Sequence, residues 1–243
     1  MKRICECLEG ATLGYVNTAF AGDFLLSTSC FPDFKLTVWS WRTGIKILSV
    51  DAILREANEY EQIMRVNPSS SSYIAQVEFF TFINSTFSHR FASIFHLMIF
   101  LAFSQLGKTS GKLFIWKLCV CNKAAFLDST EIIPPKNSLI NDIAWQPYGS
   151  NTLALVDQYG HVYLTDHLGK DIVRVILSQR CLICTDYEKP LISWYVDGIV
   201  MRTTFCQIRY YQKDSTNRWQ KIWYHKVDYH PCALIFHPFR TDR

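Results

Sequence analysis

The stretch Ile143-Ala144-Trp145-Gln146-Pro147-Tyr148-Gly149-Ser150-Asn151-Thr152-Leu153-Ala154-Leu155-Val156-Asp157-Gln158-Tyr159-Gly160-His161-Val162-Tyr163-Leu164-Thr165 reads as three strands separated by two turns. Each apolar run is short, rich in β-branched and aromatic residues, and ends at turn-forming residues, which is the signature of strands and not of a helix. Proline has no N–H to give to a ladder, so Gln146-Pro147 closes the first run. Tyr159-Gly160 closes the second, because glycine accepts backbone angles that other residues avoid.

The same grammar recurs along the 243 residues. Met64-Arg65-Val66-Asn67-Pro68 and Leu234-Ile235-Phe236-His237-Pro238 repeat the apolar strand with its polar-Pro ending, and Thr18-Ala19-Phe20-Ala21-Gly22-Asp23 replaces the proline by Gly-Asp. Phe24–Thr28 then leads to Lys35–Trp39, Tyr73–Ala75 to Lys112–Trp116, and Leu191–Tyr195 through Ile199–Met201 to Gln207–Tyr211, with Asp197-Gly198 as a tight-hairpin signal. Phe20 to Val66 is 46 residues, Trp145 to Trp194 is 49, and Trp194 to Phe236 is 42. Those intervals match a blade of about 40–45 residues, as in WD repeats, whose first strand each of these segments resembles. The expected fold is therefore all-β: an incomplete WD40-type β-propeller of about four blades, with partial strands at both ends. Lys2–Leu8 reads as the closing strand of one further blade, and Ala233–His237 as the opening strand of another. Phe20, Trp39, Val66, Trp116, Trp145, Trp194 and Phe236 are the expected blade anchors. Trp39, Trp116 and Trp145 are taken to occupy matching repeat positions and to be buried.

One interval is too long. Val66 to Trp116 is 50 residues, whereas Phe20 to Trp39 is 19 and Trp145 to Thr165 is 20. The excess of about 30 falls on residues 77–107, an atypical apolar insertion in a domain that otherwise runs from 1 to 243. Within it, Phe91–Leu106 is almost wholly apolar, but it is shorter than the ~20 residues that span a bilayer and contains His96. Insertion in the fold is preferred to a membrane span, and a membrane is not an expected partner.

Composition narrows the function. Charged residues are 19% and hydrophobic residues 49%, which excludes long disordered or coiled-coil stretches and supplies a large core. The net charge of +4 is small, and Arg202, Arg209 and Lys213 alternate with aromatics at strand spacing, so no nucleic-acid surface is expected. Nine cysteines, as Cys5/Cys7, Cys119/Cys121, Cys181/Cys184 and singles, lack the paired spacing of a zinc site and read as reduced core thiols in a cytosolic setting. No phosphate-cradling glycine loop occurs, no His-x-x-x-His pair lies on a helix, and Cys232 beside His230 is constrained by Pro231. Asp157, Asp166 and Asp171 follow strand ends, where capping a turn is the ordinary role. No catalytic, cofactor or metal residues are expected, and the chain is read as non-enzymatic.

The run from Leu8 to Trp41, with Phe31-Pro32-Asp33-Phe34 between its second and third strands and Trp39-Ser40-Trp41 closing the third, resembles the axonemal WD-repeat family of cilia- and flagella-associated proteins. A plain WD repeat has Trp-Asp where this chain has Trp39-Ser40 and Trp116-Lys117. The resemblance implies a scaffold of the ciliary or flagellar axoneme, in the cytoplasm and cytoskeleton. Its implied partners are a sister WD-repeat protein, inner-arm dynein and the doublet microtubule. It implies no catalytic residue. Phe31, Pro32, Asp33 and Phe34 form the candidate interaction loop, because exposed aromatics anchor interfaces; the alternative is that Phe31 and Phe34 fold back over the blade edge and belong to the core. The alternatives are a generic cytosolic WD40 adaptor and a membrane-tethered variant held by residues 91–106.

Overall fold

The computed structural model describes residues 11–29, 33–51, 62–80, 110–121, 124–135, 138–147, 151–176, 190–203, 207–228 and 234. They form sixteen strands in four antiparallel sheets, each wound from first strand to last in chain order. Blade 1 comprises β1 (Tyr15–Ala21), β2 (Phe24–Ser29), β3 (Lys35–Ser40) and β4 (Ile45–Asp51). Blade 2 comprises β5 (Gln62–Val66), β6 (Tyr73–Phe80), β7 (Ser110–Cys121) and β8 (Ala124–Ile132). Blade 3 comprises β9 (Ile140–Trp145), β10 (Leu153–Asp157), β11 (Val162–Thr165) and β12 (Val173–Ile176). Blade 4 comprises β13 (Leu191–Tyr195), β14 (Gly198–Arg202), β15 (Gln207–Lys213) and β16 (Trp219–Lys226). Lys2–Leu8, and Ala233–His237 apart from Leu234, lie outside the described residues, as do Phe236 and Phe91–Leu106.

A lone four-stranded sheet cannot cover both its faces, so the blades stack. Leu26, Leu36 and Val38 of blade 1 pack on Met64, Ile74, Phe114 and Trp116 of blade 2. Leu113, Ile115 and Ile132 of blade 2 meet Ile143, Leu153 and Leu155 of blade 3. Ala154, Val156 and Val162 of blade 3 meet Ile192, Trp194, Ile199 and Met201 of blade 4. Two tryptophans tie these layers together by hydrogen bonds. The Trp145 indole donates to the carbonyl of Arg65 in the preceding blade at 2.9 Å, and Trp194 donates to Ala144 at 2.9 Å.

Four readings of the sequence change here. Val77–Phe80 continue β6 and pair with Ser110–Leu113, so the ladder of blade 2 is longer than its siblings and takes in the first residues of the 77–107 segment. Trp39 and Trp116 lie on third strands, opposite Leu25 and Ile74, whereas Trp145 lies on a first strand opposite Leu153. All three are buried but they occupy two different positions, and the third-strand equivalents in blades 3 and 4 are Thr165 and Tyr211. The blade 4 hairpin turns on Val196-Asp197, with Tyr195 opposite Gly198. Val196 takes the left-handed conformation at φ +51°, uncommon for a β-branched residue. Gly198 is required for another reason: a Cβ there would lie 2.2 Å from the Tyr210 ring. Finally, Phe20 is 67% exposed and not a buried anchor. It holds the first-strand position from which Trp145 and Trp194 reach the preceding blade, and it meets Trp41 edge-on at 6.2 Å instead.

Candidate functional site

Of the remaining expected anchors, Trp39, Trp116, Trp145 and Trp194 are buried and Val66 is half-buried against the blade 1–2 core. The Trp39 indole donates to Ser27 Oγ at 2.8 Å within its own blade. These side chains hold the scaffold and present nothing to a partner.

In the candidate interaction loop, Asp33 and Phe34 are described and Phe31 and Pro32 are not. Phe34 folds inward and is 8% exposed, so it is not an exposed anchor. Its backbone sits at φ +44°, a strained conformation for a bulky residue, which burial of the ring offsets. Asp33 is occupied too: the Thr12 amide and hydroxyl donate to its two carboxylate oxygens, and the amide bond above all holds its carboxyl below the usual range.

Three polar arrangements were open to a chemical reading. In blade 3, Asp157 is fully buried: Oδ1 accepts the Tyr159 and His161 amides, while Oδ2 meets His161 Nδ1 at 3.0 Å and accepts the Tyr163 hydroxyl at 3.1 Å. Every lone-pair direction is taken by the turn itself, so this is a locked hairpin and the capping role expected for Asp157 is the one it performs. Asp166 caps its turn in the same way through the Leu168 and Lys170 amides. On the first strand of blade 3, Asp142 accepts the Ile143 amide at 2.9 Å and the Ile192 amide of blade 4 at 3.0 Å. Burial pushes its carboxyl above the usual range, and Arg65, 3.7 Å away but half exposed, does not offset that. The third is a groove of about 350 Å³ between blades 3 and 4, with Asp166, Asp171, Lys213 and Trp219 on its walls. Among the described residues no three His, Cys, Asp or Glu side chains gather as a metal site would require. Nor is any described helix long and apolar enough to cross a membrane.

The described surface exposes large apolar side chains, both aliphatic and aromatic. Phe20, Phe126, Trp223 and Tyr224 are exposed on first or outermost strands, while the four repeat tryptophans are enclosed. Periodicity could not separate these two groups, since strand alternation predicts a face but not whether a neighbouring blade covers it.

No family model matches the chain, and no curated protein matches it. Among solved structures it is similar to the computationally designed protein Ika4, at 12% identity and a TM-score of 0.48 over 92% of this chain and 98% of that one. It is also similar to Hsv2 of Kluyveromyces marxianus, at 12% identity and a TM-score of 0.46, covering 86% of this chain and 58% of that one. A third is Sqt1 of Saccharomyces cerevisiae, at 13% identity and a TM-score of 0.48, covering 87% of this chain and 49% of that one. The chain thus spans little more than half of Hsv2 and about half of Sqt1. The propeller assignment stands on the four stacked sheets themselves.

Proposed function

We propose that this chain is a non-enzymatic scaffold that binds other proteins through the exposed rims and outer strands of its blades. The observation that carries the reading is the set of exposed aromatics, Phe20, Phe126, Trp223 and Tyr224, on an array whose four repeat tryptophans are enclosed. Large rings left in water mark interaction surfaces, because burying them on a partner recovers apolar area at little conformational cost.

The setting we propose is the axoneme, where the chain would tether inner-arm dynein to the doublet microtubule beside a sister WD-repeat protein. Support comes from the resemblance over Leu8–Trp41, closest to cilia- and flagella-associated protein 43, with protein 44 as second choice. The test is proximity labelling in ciliated cells with the tagged full chain. Dynein subunits and tubulin should be labelled above a cytosolic control. A labelled set drawn only from the cytosol would refute the axonemal setting and leave a general adaptor. Labelling that is unchanged when Phe20 and Phe126 are both replaced by Ser would refute the role of those rings.

A further inference from the structure

We propose that the outer edge of β16 is a docking strand for an acidic, extended segment of another protein, which adds a fifth strand to blade 4. The inference rests on the scaffold reading and gives it a surface and a partner chemistry. β16 ends its sheet, so among the described residues its outward N–H and C=O groups face no further strand. Native proteins blunt such edges by shortness or by charge. The outer strand of blade 3, β12, has four residues, and that of blade 2 carries exposed Asp128 and Glu131. By contrast, β16 has eight residues, seven of them exposed, and Ile222-Trp223-Tyr224 stand in water at 55%, 46% and 61%. Its own charges, Lys221 and Lys226, are of one sign and so blunt the edge against a basic strand and not against an acidic one. A bulge leaves Ile222 without a partner, so Trp223–Lys226 is the straight run on which a strand can register.

The side chains flanking that run are already ordered. Trp223 stacks on Tyr210 at 5.8 Å, and Tyr210 meets Tyr195 edge-on at 6.0 Å, which makes a row of rings across one face of the blade. Tyr224 lies on the other face, opposite Arg209, with Lys221 Nζ 5.2 Å from its ring. An incoming strand is therefore gripped on both faces.

Charge selects the partner. Residues 207–226 hold Arg209, Lys213, Arg218, Lys221 and Lys226 against the single acid Asp214, a balance of +4 that equals the formal charge of the whole chain. Asp214 is committed to its own turn, accepting from Thr216, Arg218 and Gln220. Of the cations, Lys213 shares its groove with Asp166 and Asp171 and half-buried Arg209 donates to Gln207, which leaves Arg218, Lys221 and Lys226 to act outward. A second β16 would set Lys221, His225 and Lys226 against their like, which disfavours self-pairing. Rings on opposite faces of one strand do not form the single stacking platform that a nucleic-acid strand uses.

The experiment uses the full chain and a labelled peptide of alternating Glu and Val, read by fluorescence anisotropy. Its comparators are the same peptide with Lys for Glu, the same peptide with a central Pro, and an oligothymidine. Saturable binding of the acidic peptide is expected, weakened at least tenfold by the Pro and lost with Lys. The double variant Lys221→Glu/Lys226→Glu should keep its melting temperature and prefer the Lys peptide. Equal binding of both peptides, indifference to the Pro, no binding of the acidic peptide up to millimolar concentration, or tighter binding of the oligothymidine would each overturn the proposal. If this variant labels the same cellular neighbours as the wild type, the docking strand is rejected while the scaffold reading stands.

Discussion

Replacing Trp145 by Phe keeps most of the ring and removes the one N–H that reaches across to Arg65. The bond is 2.9 Å long and partly buried, so its loss costs about 1 kcal/mol, rising to ~2 kcal/mol if the Arg65 carbonyl finds no substitute. Trp145→Ala also empties the ring volume and should cost about 3–5 kcal/mol. The more searching test is a cycle with Trp194→Phe. The acceptor for Trp194 is the carbonyl of Ala144, the residue immediately before Trp145, so the two bonds act in series through β9. Loosening β9 at one bond must misplace the acceptor of the other. The double variant should therefore lose less than the sum of the singles, by ~0.5 kcal/mol or more, as expected for residues that share a backbone element. Trp39→Phe is the control: it also loses one indole bond, to Ser27 at 2.8 Å, but inside blade 1 and remote from β9. It should add to Trp194→Phe within about 0.3 kcal/mol. Urea unfolding followed by circular dichroism measures all of these, provided the slope of free energy against urea stays constant across the set. Strict additivity of Trp145→Phe with Trp194→Phe would refute the series arrangement, and a cost below ~0.3 kcal/mol for either single change would refute the bonds themselves.

Gly198→Ala drives a methyl group into the Tyr210 ring and should cost about 1–3 kcal/mol; Tyr210→Ala in the same chain should recover most of it, read from the two melting temperatures. Phe80 and Ser110 are direct cross-strand partners, so an Asn-Gly turn in place of residues 81–109 suits the hairpin. Shortening that connection should stabilise blade 2 by about 2 kcal/mol of closure entropy, and a lower unfolding midpoint would count against the register. For Asp142, burial raises the folded-state pKa above the ordinary 3.8, so stability is fully present below that value and falls as pH rises through the folded pKa. Asp142→Asn abolishes this titration, so the stability difference between wild type and variant should shift in favour of the variant as pH increases from 3.8. Asp33 and Asp214, both lowered, have the opposite sign but cancel in that difference. A difference independent of pH would refute the burial argument.

Strand alternation and turn residues were enough to read the blades, because each blade is a local unit whose four strands follow one another in the chain. What they could not read was set between blades. Trp145 closes a first strand and Trp39 a third, so the likeness of residue type and apolar run that set them at matching repeat positions was misleading. Phe20 fits the pattern of a buried anchor and is exposed, since exposure depends on a neighbouring surface that the local run does not encode. Asp197-Gly198 has the composition of a turn, yet the glycine serves the approach of Tyr210, a residue twelve positions away. In the loop 31–34, aromatic content suggested an anchor, but Phe34 was free to swing inward and does so at the expense of its backbone conformation. The basic character of the blade 4 hairpin was visible in Arg209 and Lys213, although its exposed edge was not.

Both indole bonds between blades run backward along the chain, from Trp145 to Arg65 and from Trp194 to Ala144. On a ribosome this direction matters. The acceptor of each bond has left the exit tunnel before its donor is made, and 49 residues separate the second donor from the first. At about 5–20 residues per second, each new blade emerges over ~2–10 s onto a neighbour that already exists. Nascent blades can thus be captured one at a time, and an apolar face that would otherwise attract other chains waits only for the next blade to be synthesised.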